Sequence, residues 1–244
     1  RNKNKITGVS AAMQNYNDKQ DEVASSVFYN KPVQKYYDGV SLDAIWAVRS
    51  LGIDPANGQE IYLDKKGNRT YTYRVSDQVV CGDKLPDFQG TAGFMFSYKG
   101  IELNATFRFQ YGAQMYNQTL VDKVENASLK GNVDKRVYDG RWRNPGDLKP
   151  YKTLGNRWVA EENEYKDEKT QATSRFVQDE NVLSLDALTL SYDFDPLWLR
   201  KIFLKTLRLE VSTNELFRLS SIKQERGTSY PFARTVNFSL RATF

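Results

Sequence analysis

Histidine is absent from this sequence, and cysteine occurs once, at Cys81. Without histidine the chain lacks the commonest general base, the usual catalytic triads and most transition-metal sites. A single cysteine forms no internal disulfide, and Cys81 has no cysteine or histidine neighbours, so we interpret it as a free thiol. Glycine-rich phosphate-binding loops are missing as well. We therefore expect no enzyme activity, no cofactor and no metal site.

Long hydrophobic runs are also missing. No stretch approaches the roughly 18 to 20 consecutive apolar residues of a membrane-spanning helix. A membrane-spanning β-strand needs only about 10 residues of alternating apolar and polar character, so hydropathy does not reveal it. Aromatic residues make up 13% of the chain and charged residues 27%. This pairing indicates aromatic-rich strands joined by long polar loops.

The charge balance gives no sign of a nucleic-acid partner. The formal net charge is +5, but the 35 basic residues are interleaved with 30 acidic ones throughout the chain. A nucleic-acid interface concentrates Lys and Arg in one stripe or patch, which is not seen in the sequence. We interpret the charges as a mixed, solvated surface and predict no nucleic-acid partner.

The last residues of the chain carry the clearest strand pattern. Apolar side chains occupy every second position, with polar ones between them. Side chains two residues apart share one face of a strand, so the pattern predicts an amphipathic strand that ends on an aromatic residue. Its apolar face consists of Val236, Phe238, Leu240, Ala242 and Phe244.

Further segments show the same alternation. Residues 92–111 are interrupted only by Lys99 and Gly100, which predicts a hairpin with a tight turn. Residues 188–194 and 206–213 are predicted to form a second pair of strands. Apolar positions before Asp186 are out of phase with those after it, which predicts a β-bulge near this residue.

The connections between these strands differ sharply in length. Short links join residue 98 to 103 and 194 to 207, whereas long ones, predicted to be irregular, run from about 10 to 90 and from 112 to 181. If strands alternate in direction, every long link lies at one end of the sheet. Outer-membrane barrels have this asymmetry, with short periplasmic turns and long extracellular loops. Trp198 and Phe203 lie in a short link, where an aromatic girdle would meet the lipid headgroups.

Smaller structures are predicted inside the long loops. Residues 61–63 and 71–73 flank a polar, glycine-containing turn and indicate a hairpin. Residues 120–129 have weak helical periodicity with Glu125 among their exposed charges, which indicates a short helix. Residues 54–60 superficially resemble a calcium loop, but they lack the ligand spacing of an EF-hand, so a turn is the better interpretation.

Aromatic residues in the loops are candidates for stacking on sugar rings. For each of them, packing within the loops is the favoured alternative. The set comprises Tyr36, Tyr37, Trp46, Tyr71, Tyr73, Trp142 and Trp158.

Six segments together resemble one protein family and cover nearly the whole chain. They are SLDAIWAVRSLGIDPANGQEIYLDKKGN, YKGIELNATFRFQYGAQMYNQT, RWRNPGD, SRFVQDENVLSLDALTLSYDF, NELFRLS and TSYPFARTVNFSLRATF. With them the sequence resembles the C-terminal part of the SusC/RagA-type TonB-dependent outer-membrane transporters of Bacteroidetes.

The resemblance implies an all-β fold, a transmembrane antiparallel barrel of 22 strands closed by an N-terminal plug. Residues 1–244 would form the C-terminal portion, with about six strands and long extracellular loops but without the plug or the TonB-contacting segment. It also implies import of glycans, peptides or other nutrients across the outer membrane, driven through the TonB complex. The implied partners are a SusD-like surface lipoprotein, the rest of the barrel and plug, and outer-membrane lipid.

Two sets of site residues follow. Arg108, Gln110 and Glu210 lie on the polar face and are candidates to line the lumen, although nothing in the sequence identifies the substrate. The terminal strand resembles the signal that the outer-membrane assembly machinery reads, and that role falls on the apolar positions from Val236 to Phe244.

A secreted β-sandwich that binds carbohydrate is the alternative, because it too uses alternating strands and exposed aromatic residues. Apolar faces turned inward to form a dry two-layer core would favour the sandwich.

Overall fold

The computed structural model describes residues 4–27, 29–128, 131–153, 156–159, 164–167, 169–222 and 235–244, with only the backbone given for 156–159 and 164–167. The chain divides into two compact units. The sheet unit comprises Pro86–Gly112 and Glu180–Phe244, and the loop unit comprises Asn2–Leu85 and Ala113–Asp179.

The secondary structure is mainly strand. The strands are β1 (Ala44–Ile53), β2 (Glu60–Leu63), β3 (Arg69–Thr70), β4 (Gln78–Asp83), β5 (Phe88–Tyr98), β6 (Ile101–Tyr116), β7 (Asn156–Val159), β8 (Glu164–Asp167), β9 (Val177–Asp193), β10 (Thr206–Ser220) and β11 (Val236–Thr243). The helices are α1 (Ala11–Ser25), α2 (Gln118–Leu120), α3 (Lys135–Asp139) and α4 (Pro196–Leu199). Short 3-10 turns at Val75–Asp77, Ser174–Phe176 and Arg200–Ile202 and a π turn at Val121–Glu125 complete the described elements.

The sheet unit contains one five-stranded sheet in the order β11-β10-β9-β6-β5. The predicted hairpin is confirmed, because β5 and β6 pair antiparallel and turn at Lys99 (φ 46°) and Gly100 (φ 84°). Two successive positive φ angles form the turn that matches the right-handed twist of paired strands. The second predicted pair is confirmed by β9 and β10. The described sheet has five strands, against the expected number of about six for an outer-membrane barrel portion.

The strand register separates an apolar face from a polar face. Directly opposed residues share a face, and Phe96 lies opposite Leu103 while Arg108 lies opposite Thr91. The apolar side chains remain exposed, with Phe96 57% and Phe238 76% accessible. The dry two-layer core that would favour a sandwich is therefore not found for this sheet in the described part of the chain.

The predicted bulge near Asp186 is confirmed. The register between β9 and β10 shifts where Ala187 and Leu185 face Asn214 and Phe217, so β10 carries one extra residue. Asp186 lies within the shift, and its Oδ2 forms an ion pair with Arg108 Nε at 2.7 Å. The register shift thus lies at the point in β9 where the sequence changes phase, although the extra residue belongs to the partner strand β10.

The loop unit is built on a four-stranded sheet in the order β3-β2-β1-β4. Residues 10–90 were expected to be irregular, and this prediction is wrong for β1 and β4. The first five residues of β1, Ala44 to Val48, are all buried. A strand buried on both faces shows no period-two alternation, so the sequence pattern did not reveal it.

Side chains from distant segments form the core of the loop unit. The buried cluster consists of Ile45, Ala47, Tyr116, Leu120, Val121, Val124, Val137, Tyr151, Ala172 and Phe176. Helix α1 is capped by Ser10, whose hydroxyl accepts from the Met13 amide. Among the residues that the structure describes, no helix has both the length and the apolar character needed to cross a membrane.

The local predictions in the loops have mixed outcomes. The hairpin exists, but its second strand is Arg69–Thr70 rather than residues 71–73. The turn after Asp54 is confirmed, since the amide of Gly58 donates to the Asp54 carbonyl at 2.8 Å. The helical segment is α2 with the following π turn, and the end predicted at residue 129 lies outside the described residues.

The prediction that Glu125 is exposed is wrong, because its side chain is buried in an ion pair.

Candidate functional site

The polar face of the sheet carries a network of charges centred on Arg208. Its Nη2 donates to Glu102 Oε2 at 2.9 Å and to Ser191 Oγ at 2.7 Å, and its Nη1 donates to Asp193 Oδ2 at 3.2 Å. The side-chain amide of Asn104 donates through Nδ2 to the other carboxylate oxygen of Glu102, Oε1, at 2.8 Å. We call Glu102, Asn104, Ser191, Asp193, Arg208 and Glu210 the polar-face network.

Three strands supply this network. Glu102 is the second residue of β6, Asp193 ends β9, and Arg208 lies near the start of β10, so all of them lie at the end of the sheet with the short turns. Arg208 also lies directly opposite Arg241 of β11. Like charges in a cross-strand pair repel each other, and the surrounding carboxylates offset that repulsion.

The structure places all three lumen candidates on the polar face, in different surroundings. Glu210 joins the network, with Oε2 4.0 Å from Arg208 Nε. Arg108 instead pairs with Asp186, and Gln110 lies opposite Gln89. Sequence reasoning did not select Glu102 and Arg208 as site residues. Alternation puts both on the polar face, but only the pairing of strands shows that they meet.

The apolar positions of the terminal strand share one exposed face. Phe238 lies opposite Val211, Leu240 opposite Leu209, and Ala242 opposite Leu207. Phe244 follows the last paired residue and is 81% exposed. The strand pattern predicted for these residues is confirmed, and their role in assembly stays a prediction.

A second cluster of charges is buried in the loop unit. Arg175 binds Glu60 with two hydrogen bonds, Nε to Oε1 at 3.1 Å and Nη2 to Oε2 at 2.9 Å. Its Nη2 also donates to Glu125 Oε1 at 2.7 Å, and the Thr170 hydroxyl donates to the same oxygen at 2.9 Å. The side chains of Glu60 and Glu125 are 1% and 0% exposed. We call Glu60, Glu125, Thr170 and Arg175 the buried ionic cluster.

The electrostatics of this cluster favour the charged state of the arginine. Burial lowers the pKa of Arg175, but Glu60 and Glu125 raise it by more, so the net direction is upward. Arg141 lies beside the cluster and donates through Nη2 to the carbonyls of Val124 and Glu125. Burial lowers the pKa of Arg141, partly offset by Glu125.

Most of the loop aromatic residues pack against other protein groups. The rings of Tyr37 and Trp46 lie 5.1 Å apart, and the Trp142 indole N–H donates to the Pro55 carbonyl at 2.9 Å. Tyr71 is 51% exposed, but its hydroxyl is hydrogen-bonded to Asp54. These contacts support packing within the loops over sugar stacking. The side chain of Trp158 lies outside the described residues.

No group of three or more acidic, cysteine or histidine side chains that would suit a metal ion occurs among the described residues. Cys81 has a free thiol, and its Sγ donates to the Ala47 carbonyl at 3.4 Å. Burial raises the pKa of this thiol, which makes it a poor nucleophile.

The sheet has an exposed apolar face, a polar face with paired charges, and short turns at one end. These features define the chain as an all-β protein of the transmembrane strand type.

Two sequence relatives are TonB-dependent receptors of Formosa agariphila. TonB-dependent receptor P39 is 28% identical over 67% of this chain and 15% of the relative, and receptor P3 is 27% identical over 78% of this chain and 17% of the relative. No family model matches the chain. The chain thus spans about a sixth of the length of these relatives.

Solved structures agree on the fold. A structure of the RagAB peptide transporter matches with a TM-score of 0.61 at 16% identity, over 76% of this chain and 20% of that one. The RagAB peptide importer in its "closed-closed" state matches with a TM-score of 0.58 at 17% identity, over 76% of this chain and 20% of that one. The predicted resemblance and the antiparallel, strand-rich fold class are confirmed: the chain is similar in sequence to part of two TonB-dependent receptors, and similar in fold to part of the RagAB structures.

Proposed function

We propose that the protein acts in TonB-dependent import of nutrients across the outer membrane, and that it binds and transports rather than catalyses. The observation that carries this proposal is the two-faced sheet, whose apolar side chains are exposed while its polar side chains form ion pairs. Lipid would cover the apolar face, and water or a plug would meet the polar face. The relatives are named as TonB-dependent receptors, and the structural neighbours as a peptide importer.

We further propose that residues 1–244 form the C-terminal portion of a plugged barrel whose other strands come from the rest of the polypeptide. An open edge in lipid leaves unpaired N–H and C=O groups, each at a cost of several kcal/mol. Strands β5 and β11 are the two edges of the described sheet, and both require partners. A SusD-like surface lipoprotein and the TonB complex are the external partners in this proposal.

The substrate class in this proposal comprises glycans and peptides. Peptide is the cargo named for the structural neighbours, and glycans are implied by the sequence resemblance. Arg108, Gln110 and Glu210 are the proposed lumen residues, and their mixed charge suits polar cargo of either class. The apolar positions Val236, Phe238, Leu240, Ala242 and Phe244 are the proposed assembly signal.

The test is growth of a deletion strain on a panel of polysaccharides and peptides, each as sole nutrient. We expect loss of growth on one member of the panel and recovery when the intact gene is restored. Membrane fractionation of the complemented strain should place the protein in the outer membrane. Recovery of the protein in the soluble fraction, or normal growth on every substrate, would contradict the proposal.

A further inference from the structure

A pocket of about 460 Å³ opens on the loop unit, at the end of helix α3. This volume lies within the roughly 300 to 1,000 Å³ of small-molecule sites. Tyr138 supplies one aromatic ring to the lining, and every other lining side chain is polar or charged. Tyr138 is 68% exposed, and it is not among the loop aromatic residues selected from the sequence. The pocket thus combines one accessible ring with hydrogen-bonding groups.

The Tyr138 ring is held in place by Arg143. The Cζ atom of Arg143 lies 3.8 Å from the centre of the ring, and its Nη2 donates to the Tyr138 carbonyl at 2.7 Å. The guanidinium therefore fixes the orientation of the ring, while most of the tyrosine stays in contact with solvent. A flat ring that is open to solvent is a surface on which a sugar ring can stack.

The turn that ends at Asp147 supplies further lining groups and is fixed by hydrogen bonds. Asp147 Oδ2 accepts from the backbone amides of Arg143 and Asn144, each at 3.0 Å, and the Gly146 amide donates to the Pro55 carbonyl at 2.8 Å. The hydrogen bonds from Asn144 and Arg143 lower the pKa of Asp147, so this carboxylate is ionised at neutral pH. The polar groups of the turn are therefore in place before any ligand binds.

The lining keeps hydrogen-bonding capacity that the described protein does not use. The side-chain amide of Asn144 and the Oδ1 atom of Asp147 form no hydrogen bond within the described residues. Lys149 Nζ donates to the Asp139 carbonyl at 2.8 Å, which uses one of its three hydrogens. Donors and acceptors are thus available side by side. A sugar hydroxyl needs both, because it donates one hydrogen bond and accepts others.

The exposed charges of the lining are balanced. Arg143 and Lys149 carry positive charge, and Asp139 and Asp147 carry negative charge. The remaining cation, Arg141, is 4% exposed and donates to backbone carbonyls of the π turn. A balanced lining gives an ionic ligand no advantage over a neutral one. Recognition in this pocket therefore depends on the ring and on the pattern of hydrogen bonds.

We propose that this pocket binds one neutral sugar unit of a glycan, with the sugar ring stacked on Tyr138 and its hydroxyls bound by Asn144, Asp147 and Lys149. A neutral sugar has the flat C–H surface and the adjacent hydroxyls that this lining matches. A peptide offers apolar side chains, for which the lining has the single tyrosine ring. The inference rests on the proposed function and deepens it, because it selects glycans over peptides for a site that does not include the lumen candidates.

The test uses the full-length transporter purified in detergent. Binding is measured on an array of neutral oligosaccharides built from hexoses and pentoses, and on a second array of short peptides. The variants are Tyr138→Ala, which removes the ring, Tyr138→Phe, which keeps it, and Asn144→Ala. The matched control is Leu148→Ala, an 84% exposed side chain of the same segment that does not line the pocket. All of these side chains are exposed, so the fold should tolerate the changes.

We expect the unchanged protein to bind at least one neutral oligosaccharide, and Tyr138→Ala to bind it about tenfold more weakly because one aromatic contact is lost. Asn144→Ala should bind about fivefold more weakly through the loss of its hydrogen bonds. Tyr138→Phe and Leu148→Ala should bind within about twofold of the unchanged protein.

Two results would overturn the proposal directly: no binding of any neutral oligosaccharide, or equal sugar binding by Tyr138→Ala and the unchanged protein. Weaker binding of a peptide by Tyr138→Ala, with no sugar bound, would replace the sugar site with a peptide site.

Membrane fractionation of the same strains separates this inference from the proposed function. Absence of the unchanged protein and of every variant from the outer membrane would refute the proposed function. Correct placement in the outer membrane, together with equal sugar binding by Tyr138→Ala, would refute only the sugar pocket.

Discussion

Arg175 and Glu60 lie 115 residues apart in the chain and form a two-point ion pair, with Nη2 2.9 Å from Oε2 and Nε 3.1 Å from Oε1. Glu60 begins β2, and Arg175 lies in the turn before β9. Glu125 of the π turn adds a third segment to this contact. Because a buried charge without its partner is costly, these three segments are stable only when they are together.

Replacement of Arg175 by methionine should strongly destabilise the loop unit. Two buried carboxylates would lose their cation, which costs about 3 to 5 kcal/mol in typical buried pairs. The measurement is the free energy of local opening, obtained by hydrogen exchange of loop-unit amides in the full-length protein. The control is Arg74→Met, an exposed position, with an expected change within about 0.5 kcal/mol. Equal protection in both variants would contradict a stabilising role for the cluster.

Gly58→Ala should destabilise the loop unit more than Gly67→Ala does. Both glycines have positive φ, 72° and 89°, so alanine is strained at either position by about 1 to 2 kcal/mol. At Gly58 a Cβ atom would also collide with the Trp142 indole, whereas at Gly67 it would meet open space. The clash adds about 1 to 3 kcal/mol of overpacking. The measurement is the unfolding temperature of the loop unit in the Gly58→Ala and Gly67→Ala variants, monitored by proteolysis of the loop unit. Equal decreases in the two variants would show that the Trp142 indole moves away freely.

Alkaline pH should destabilise the loop unit through Tyr73. Burial, partly opposed by the hydrogen bond from Gln78, raises the pKa of Tyr73 from 10.0 to about 12. Because the folded pKa is the higher one, this contribution is complete below pH 10 and is lost as pH rises toward 12. The free energy of unfolding of the loop unit should decrease by about 2 kcal/mol over this pH range. Stability measured against pH should fall less steeply for Tyr73→Phe than for the unchanged protein, and parallel curves would exclude Tyr73 as the cause.

The assignment of faces can be tested by cysteine labelling in a Cys81→Ser background. The single native cysteine makes this background simple to prepare. Glu210→Cys should react with a polar, membrane-impermeant maleimide in intact outer membranes, because its side chain would meet water. Leu209→Cys, one position away on the opposite face, should stay unlabelled because lipid would cover it. Labelling of Leu209→Cys alone would reverse the assignment.

Loss of the terminal aromatic ring should impair assembly. Phe244→Ala removes an 81% exposed side chain from the proposed assembly signal, and we expect less of the heat-modifiable folded form on gels. Thr243→Ala changes the neighbouring residue, which belongs to the polar set, and serves as the control. Unchanged assembly of Phe244→Ala would remove this residue from the signal.

The sheet unit was largely predictable from the sequence. The hairpin at Lys99 and Gly100, the β9–β10 pair and the bulge near Asp186 all match the structure. The strands involved each have one apolar and one polar face. The alternation of apolar and polar side chains along the chain therefore reveals them. The loop unit was not predictable to the same degree, because β1 is buried on both sides and shows no alternation.

The sequence by itself determined which side chains share a face in β5, β6, β9, β10 and β11, because alternation depends only on residues two positions apart. Only the tertiary structure decided that Arg208 meets Glu102 and that Arg175 lies between Glu60 and Glu125. These contacts depend on which strands become neighbours and in which register. Pairing across 50 to 115 residues is a property of the folded chain, since no local pattern encodes the partner of a buried charge.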